Sequence, residues 1–500
     1  MIIIPHPSHT LTAITALGLL FVAGCAVGPD FKQPVVPAVS DYSDHPLANT
    51  VTSTNVGGGE AQHFANGGDI AGDWWTLFHS QPLNELIELA LTNNPDLKAA
   101  QASLSVAREN VLAQRGVYYP SVAGNFSASR HQDPPRSLAP VPSSNAYLYD
   151  LFTPEVSVSY SPDVFGLNRR TVESVQAQEQ AVRFQMIAAY TTLTANVVVT
   201  AIQAAAVQAQ IDATRQLIDL NSNMVQILQY QLTKGYASRL DVVAQESQLA
   251  QVIATLPPLL KQSAQLRDLL AVLAGRFPNQ APAEKFELAS LQLPVEIPVS
   301  LPSQLVTQRP DVLQAEANLH AASAQIGIAI ANRLPNITLT ADAGSTALSL
   351  NKVFSSGTGF WGLGAAATAP LFQGGQLMHQ ERAAKAAYVE AAEQYRSTVL
   401  TAFQNVADTL TALEQDAEGL KAAATAADDA QETLDLSQRQ WKDGYISYLA
   451  LLSAEQAYQQ ARINLVQAQA NRYADTAALF QALGGGWWHR ANLTQDKNEK

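Results

Sequence analysis

Only 15% of the 500 residues are charged, one is cysteine, and nine are histidine. A single cysteine excludes a disulfide framework and a cysteine-based zinc site. The histidines are scattered, without a His-Glu-x-x-His pair or any other ligand spacing, so no metal-binding set is visible. A Gly-rich phosphate loop and a Gly-x-Ser-x-Gly elbow are both missing, and with them the usual signatures of nucleotide and acyl-transfer chemistry. The expectation is a protein that is no enzyme and takes no metal or cofactor. Basic side chains are in deficit, giving a formal net charge of −13. That charge argues against nucleic acid as a partner, because phosphate binding needs a basic face. The acid excess fits either a solvated surface or the lining of a water-filled passage. Bulky apolar residues are few as well: the hydrophobic 47% is swollen by alanine, which suits helices packed closely through small side chains. The length implies two or more domains, or one extended architecture.

The chain uses one pattern twice. Pro95 to Pro120 and Pro310 to Pro335 align without a gap at an offset of 215, with Ala100/Ala315, Ala102/Ala317, Leu104/Leu319 and Ala107/Ala322 identical. Each run opens on Pro-Asp, spaces small apolar residues as a helix does, and ends at a proline followed by alternating residues. A helix leading into a strand, made twice, is the unit of construction.

Four stretches alternate with period two, the signature of strands. Pro120–Arg130 sets Val122, Phe126 and Ala128 against Ser121, Asn125, Ser127 and Ser129. Phe152–Pro162 sets Phe152, Val156, Val158 and Tyr160 against Thr153, Glu155, Ser157 and Ser159. Pro335–Gly344 sets Ile337, Leu339 and Ala341 against Asn336, Thr338, Thr340 and Asp342. Phe360–Pro370 sets Trp361, Leu363, Ala365 and Ala367 against glycines, Ala366 and Thr368. They pair as two hairpins, through loops 131–151 and 345–359. Strands of about ten residues with one apolar face match a transmembrane β-barrel wall. A soluble β-sandwich is the alternative, and it does not explain two long helical blocks between the pairs. Four strands cannot close a barrel, and hydrocarbon tolerates no open sheet edge, so several chains must contribute. Three copies would supply twelve strands.

Proline is absent from Gly166 to Lys234 and again from Gly374 to Asp443. A helix of about 67 residues would extend about 100 Å and implies coiled-coil packing. Each block ends in the same turn, Lys234-Gly235-Tyr236-Ala-Ser238 and Asp443-Gly444-Tyr445-Ile-Ser447. Glycine past the helix end and serine at the next N-cap predict tight helical hairpins. Returning helices are expected over Arg239–Leu273 and Tyr448–Leu483, the first kinked or broken at Pro257-Pro258. Upstream, Leu11–Ala23 is an apolar run of signal-peptide length followed by Gly24-Cys25. It resembles a lipobox, in which Cys25 is acylated, and an ordinary signal peptide containing a cysteine is the alternative. The segment before it has no Lys or Arg, which departs from the pattern. Alanine at position 26 resembles lipoproteins sorted to the outer membrane.

The predicted layout is therefore a lipoprotein signal peptide at 1–24 and an N-terminal tether or equatorial segment at 25–80. Repeat 1 occupies 81–275 (strand hairpin 120–162, tip at 235), a proline-rich linker 276–301, repeat 2 302–484 (strand hairpin 335–370, tip at 444) and a C-terminal tail 485–500.

Taken together, these features resemble the outer-membrane efflux channels of the TolC superfamily, in the OprM/NodT-type lipoprotein branch. The resemblance is carried by Cys25-Ala-Val-Gly28-Pro29-Asp30-Phe31, Trp75 to Leu91, Arg309-Pro310-Asp311, Pro370-Leu-Phe372-Gln-Gly374-Gly375 and the stretch Gly444 to Gln456. It implies a mainly α protein with a membrane β-barrel: a homotrimer whose twelve strands form a barrel continuous with a periplasmic barrel of twelve helices. It implies a duct through the Gram-negative outer membrane, lipid-anchored at Cys25 and reaching into the periplasm. The implied partners are outer-membrane lipids, a periplasmic adaptor and an inner-membrane pump, commonly a proton-driven resistance-nodulation-division transporter. The cargo is then drugs or other small toxic compounds. An ABC exporter's conduit and a periplasmic coiled-coil adaptor are the alternatives. The adaptor would meet the hairpin tips Gly235, Tyr236, Gly444 and Tyr445. The closing contacts would lie shortly before the second tip, among Asp428, Asp429, Glu432, Leu434, Asp435 and Arg439, with Leu434 and Asp435 favoured. Glu155 and Asp342 would face the barrel lumen.

Overall fold

A computed structural model describes residues 26–43, 47–132, 134, 148–281 and 286–494. Cys25 and the signal segment lie outside the described residues, as does most of the first strand-connecting loop. In chain order the regular elements are β1 (His63–Asn66), α1 (Gln81–Asn93), α2 (Pro95–Arg115), β2 (Ser121–Gln132), β3 (Leu148–Tyr160), α3 (Leu167–Thr233) and α4 (Arg239–Leu273). There follow β4 (Glu296–Val299), α5 (Pro302–Gln308), α6 (Pro310–Ala331), β5 (Asn336–Ser345), β6 (Gly359–Thr368), α7 (Gln376–Lys442), α8 (Tyr448–Ala482) and the short α9 (Ala491–Thr494). The series of helix, two strands, a 67-residue helix and a 35-residue helix occurs twice.

The chain divides into two compact units. The first comprises residues 1–33, 105–181 and 315–395 and holds a four-stranded antiparallel sheet in the order β2-β3-β5-β6. Its register follows from the alternation in the sequence. Val122 pairs with Val158 and Phe126 with Pro154, while Asn125 pairs with Glu155. Tyr160 then meets Leu339, Val158 meets Ala341, and Ser157 meets Asp342. Leu339 meets Ala365, and Ala341 meets Leu363. Directly paired residues share a face, so one register aligns all four apolar rows, and a slip of one residue would scramble them.

The second unit comprises residues 34–104, 182–314 and 396–500. The expected tether over 25–80 has more structure than its composition indicated. β1 pairs in parallel with β4 of the proline-rich linker, and Trp74, Trp75 and Phe78 are fully buried. Trp74 stacks on Phe480 of α8 at 5.1 Å between ring centroids. Aromatic burial of this kind offsets the entropy of ordering a Gly-rich segment. The tail is likewise held at its start, where the indole nitrogen of Trp487 donates to the Gln308 carbonyl at 2.7 Å.

Pro257 and Pro258 do not break α4, which runs without interruption through both. Each removes one intrahelical donor, but the carbonyls they orphan belong to Ile253 and Ala254, both exposed, where water can replace the lost bond. An 18-residue stretch of α3 is apolar enough to cross a membrane, yet 67% of it is buried against the protein's own residues. There it is a packing face, with Val197, Val198, Ala201, Ile202 and Ala205 essentially inaccessible.

The Pro-Asp motif at both repeat starts has a physical role. Asn94, before Pro95, accepts from the backbone N–H groups of Asp96 and Leu97 and donates to the Leu273 carbonyl at the end of α4. Arg309, before Pro310, pairs with Asp311 and donates to the Ala482 carbonyl at the end of α8. Asn94 thus caps a starting helix while satisfying an orphan carbonyl of a returning one, whereas Arg309 satisfies the equivalent carbonyl and holds Asp311, whose carboxylate accepts from the Val312 N–H.

Candidate functional site: strand wall and helical tips

The sheet presents two chemically distinct surfaces. On one lie Val122, Phe126, Val156, Val158, Tyr160, Leu339, Trp361 and Leu363, with Trp361 76% and Leu363 77% exposed. The other carries serines, threonines, Asn125, Glu155 and Asp342. Glu155 sits opposite Asn125 and Gly344, and Asp342 opposite Ser157 and Gly362. Among the described residues, β2 and β6 each have one edge with no strand beside it.

At the tips the glycine–tyrosine turns close as the sequence predicts. Tyr236 N–H bonds the Gln231 carbonyl and Gly235 N–H bonds Leu232, while Tyr445 and Gly444 repeat this with Gln440 and Trp441. This is a Schellman pair at each helix end. Gly235 and Gly444 both have φ of +79°, and no atom lies near where a Cβ would sit, so backbone conformation alone demands glycine. Tyr236 is 85% and Tyr445 81% exposed, an unusual exposure for aromatic side chains.

The gate candidates fall into two groups. Leu434, one of the two favoured, is buried in the packing of its own chain. It continues the heptad seam Leu413, Ala417, Leu420, Ala424 and Ala427, all buried, and packs with Met224, Leu228, Val242, Tyr448 and Leu451 of the same chain. Residues at a/d spacing are consumed by packing within the chain. Asp428, Asp429, Glu432, Asp435 and Arg439 are all exposed. Asp428, Glu432, Asp435 and Arg439, at spacings of four, three and four, share one stripe beside the seam. Asp435 accepts from Gln431 at 3.0 Å and borders a groove of about 260 Å³ with Gln216, Leu220, Tyr458 and Arg462.

Next to the sequence position of Cys25, the chain is clamped. The buried guanidinium of Arg170 donates to the carbonyls of Val27 and Gly28 and pairs with Asp30 and Glu173, each at 2.7 Å. Phe31 stacks on His320 at 4.3 Å, and His320 meets Glu173 at 3.0 Å. Gly28 lies against the backbone of Gly327, where a Cβ would fall 2.4 Å from its Cα.

Three polar groups, two buried and one half-buried, carry no signal in the sequence. Glu455 of α8 is 2% exposed, and burial pushes its carboxyl up to about 7. Asp416 of α7 is raised to about 7 by burial and by the Asp475 carboxyl beside it. Arg472 of α8 donates to Thr50 Oγ1 and the Glu60 carbonyl, tying the N-terminal segment to the helix. Glu455 falls inside the Gly444 to Gln456 stretch, but nothing in that pattern marks it as buried, and Asp416 and Arg472 stand in no motif; single polar residues within apolar heptads look like any solvated position. Among the described residues no cluster of metal-binding side chains occurs.

Comparison with known proteins places this geometry. The family described as outer membrane efflux protein matches residues 86–276 and 301–485. The toluene efflux pump outer membrane protein TtgC of Pseudomonas putida is 29% identical over 483 residues, 96% of this chain and 95% of that protein. The antibiotic efflux pump outer membrane protein ArpC of Pseudomonas putida has the same identity and coverage. The solved structure of the outer-membrane channel OprN shares the fold with a TM-score of 0.82 at 24% identity, over 93% of this chain and all of that one.

Proposed function

The chain belongs to the outer membrane efflux protein family and is the outer-membrane component of an efflux pump; from that premise we propose that three copies close one continuous duct. The observation that carries this reading is the sheet: one apolar face, one polar face, and two open edges on β2 and β6. Unpaired backbone groups cannot stand in hydrocarbon, so the edges must meet other copies. Three sheets make twelve strands, and the helices of three chains continue the wall as a twelve-helix periplasmic barrel. The polar face, with Glu155 and Asp342, lines the lumen, while Trp361 and Leu363 meet lipid. Acylation of Cys25, with palmitate among its chains, adds a lipid anchor immediately before the segment that Arg170 clamps.

The duct needs a pump and an adaptor. Tyr236 and Tyr445, with Gly235 and Gly444, form the docking surface for the periplasmic adaptor, and the inner-membrane pump is of the resistance-nodulation-division type. The exposed stripe of Asp428, Glu432, Asp435 and Arg439, with Asp429 beside it, forms the closing contacts, and its acids favour cations in the constriction. The cargo is small, largely apolar and toxic, in keeping with the toluene and antibiotic pumps of the relatives. Photo-crosslinkers at Tyr236 and Tyr445 in intact cells are expected to capture an adaptor that belongs to a proton-driven pump. Capture of an ABC-linked adaptor would replace the pump assignment, and outer-membrane protein that captures no adaptor at all would defeat the tripartite reading.

A further inference from the structure

The helical tip contains a buried acid that the packing leaves without a partner. Tyr448 and Glu455 lie seven residues apart on α8, two turns along one face. Neither carboxyl oxygen of Glu455 and no donor or acceptor for the Tyr448 hydroxyl is satisfied within the described residues. The site is tightly enclosed: Tyr448 packs with Met224 and Leu228 of α3, Val242 of α4 and Leu434 of α7, and Ala454 joins the same cluster. On the other side of Glu455, Gln456 donates to Gln248 of α4 at 2.8 Å. Tyr448 faces from the same helix, and Asp241 of α4 reaches Tyr448 with its charge. α3 contributes Met224, Leu228 and Leu232 to this cluster, and α7 contributes Leu434 and Trp441, Asp435 beside Leu434 being exposed.

We propose that Glu455 is a proton-operated latch of the helical tip: the neutral acid lets α8 stay packed against α3, α4 and α7, and loss of the proton loosens that packing. A carboxylate enclosed without donors is far costlier than the neutral acid, whereas an opened tip hydrates either form. The direction follows by linkage. Below about 4.5 both closed and opened tips hold the proton, and the acid carries no bias. From there to about 7 the opened tip releases its proton and the closed tip does not, so opening becomes up to tenfold more favourable per pH unit. Above about 7 both are ionised and the bias is constant. The latch rests on packing alone; the channel reading enters only in what the tip would control.

The test is hydrogen exchange of the full-length protein in its native assembly from pH 5 to pH 8, corrected for intrinsic rates. Peptides covering 224–242 and 448–459 are expected to lose protection by a few tens of fold as pH rises, most of it below pH 7. In Glu455→Gln that profile should be flat. Glu455→Leu, which places no polar group in the site, serves the same purpose if the glutamine variant fails to fold. Wild-type protection that ignores pH, or a wild-type profile retained in both variants, would overturn the proposal. Bilayer conductance separates this from the channel reading: a pH-dependent tip with pH-independent conductance upholds the latch and counts against the tip as the closing point.

Discussion

Arg170 illustrates what one side chain decides. Its guanidinium spends its donors on two backbone carbonyls and two carboxylates, holding residues 27–30 in place. In Arg170→Met the carbonyls lose their donor, but Asp30 is largely exposed and rehydrates, which limits the penalty. The expected local cost is about 1–3 kcal/mol, read as a roughly 5- to 150-fold faster exchange at residues 27–31. Global unfolding should move much less. At this scale the sequence was only partly legible. Gly28, Asp30 and Phe31 stand in a recognisable run, but Arg170 and His320 reach them from far along the chain, and no local pattern announces either. Leu434 shows a related point: counting residues from the tip locates its turn of helix and not the direction its side chain takes, which is into the packing of its own chain.

At the scale of elements, the two tips are alike in their glycines and unlike in their caps. Ser238 and Asp241 form a complete capping box, each side chain bonding the other's backbone N–H. Ser447 caps Ala450, which has no side chain to return the bond. Ala450→Asp should therefore complete the second box and stabilise the start of α8 by about 0.5–1 kcal/mol, while Ser238→Ala should cost about 1 kcal/mol. Exchange protection in the first turns of α4 and α8 measures both. The long helices themselves were readable because proline is absent and apolar residues recur at heptad spacing. The continuity of α4 through Pro257 and Pro258 was not, since it depends on whether the freed carbonyls meet water or a wall.

The whole molecule adds a pH dependence of its own. Asp416 of α7, raised by burial and by Asp475 of α8, is acted on by Arg472, which in turn feels Glu60 and Tyr473. At pH 4 the folded protein keeps this proton and the unfolded chain is only partly ionised. As pH rises to about 7, the unfolded chain gives up the proton first, so folding is progressively disfavoured by this group. Asp416→Asn should leave stability near pH 4 unchanged and raise it at pH 8, which denaturant unfolding at the two pH values checks. An opposite sign would mean that Arg472, and not Asp475, dominates the site.

By itself the sequence determined the strands, their apolar faces, the two long helices and the glycine turns. Each of these is a local matter: period two or heptad spacing, a missing proline, a positive φ. Those periodicities also narrowed the register, because a slip by an odd number of residues among β2, β3, β5 and β6 would turn one apolar row to the opposite face. The tertiary structure alone decided which members of a periodic row are consumed by packing and which remain exposed. It turned Leu434 inward and Asp435 outward, enclosed Glu455 without a partner, and brought Asp416 to Asp475. Burial and charge depend on what other segments place around a residue, and that environment is assembled only when distant parts of the chain pack together.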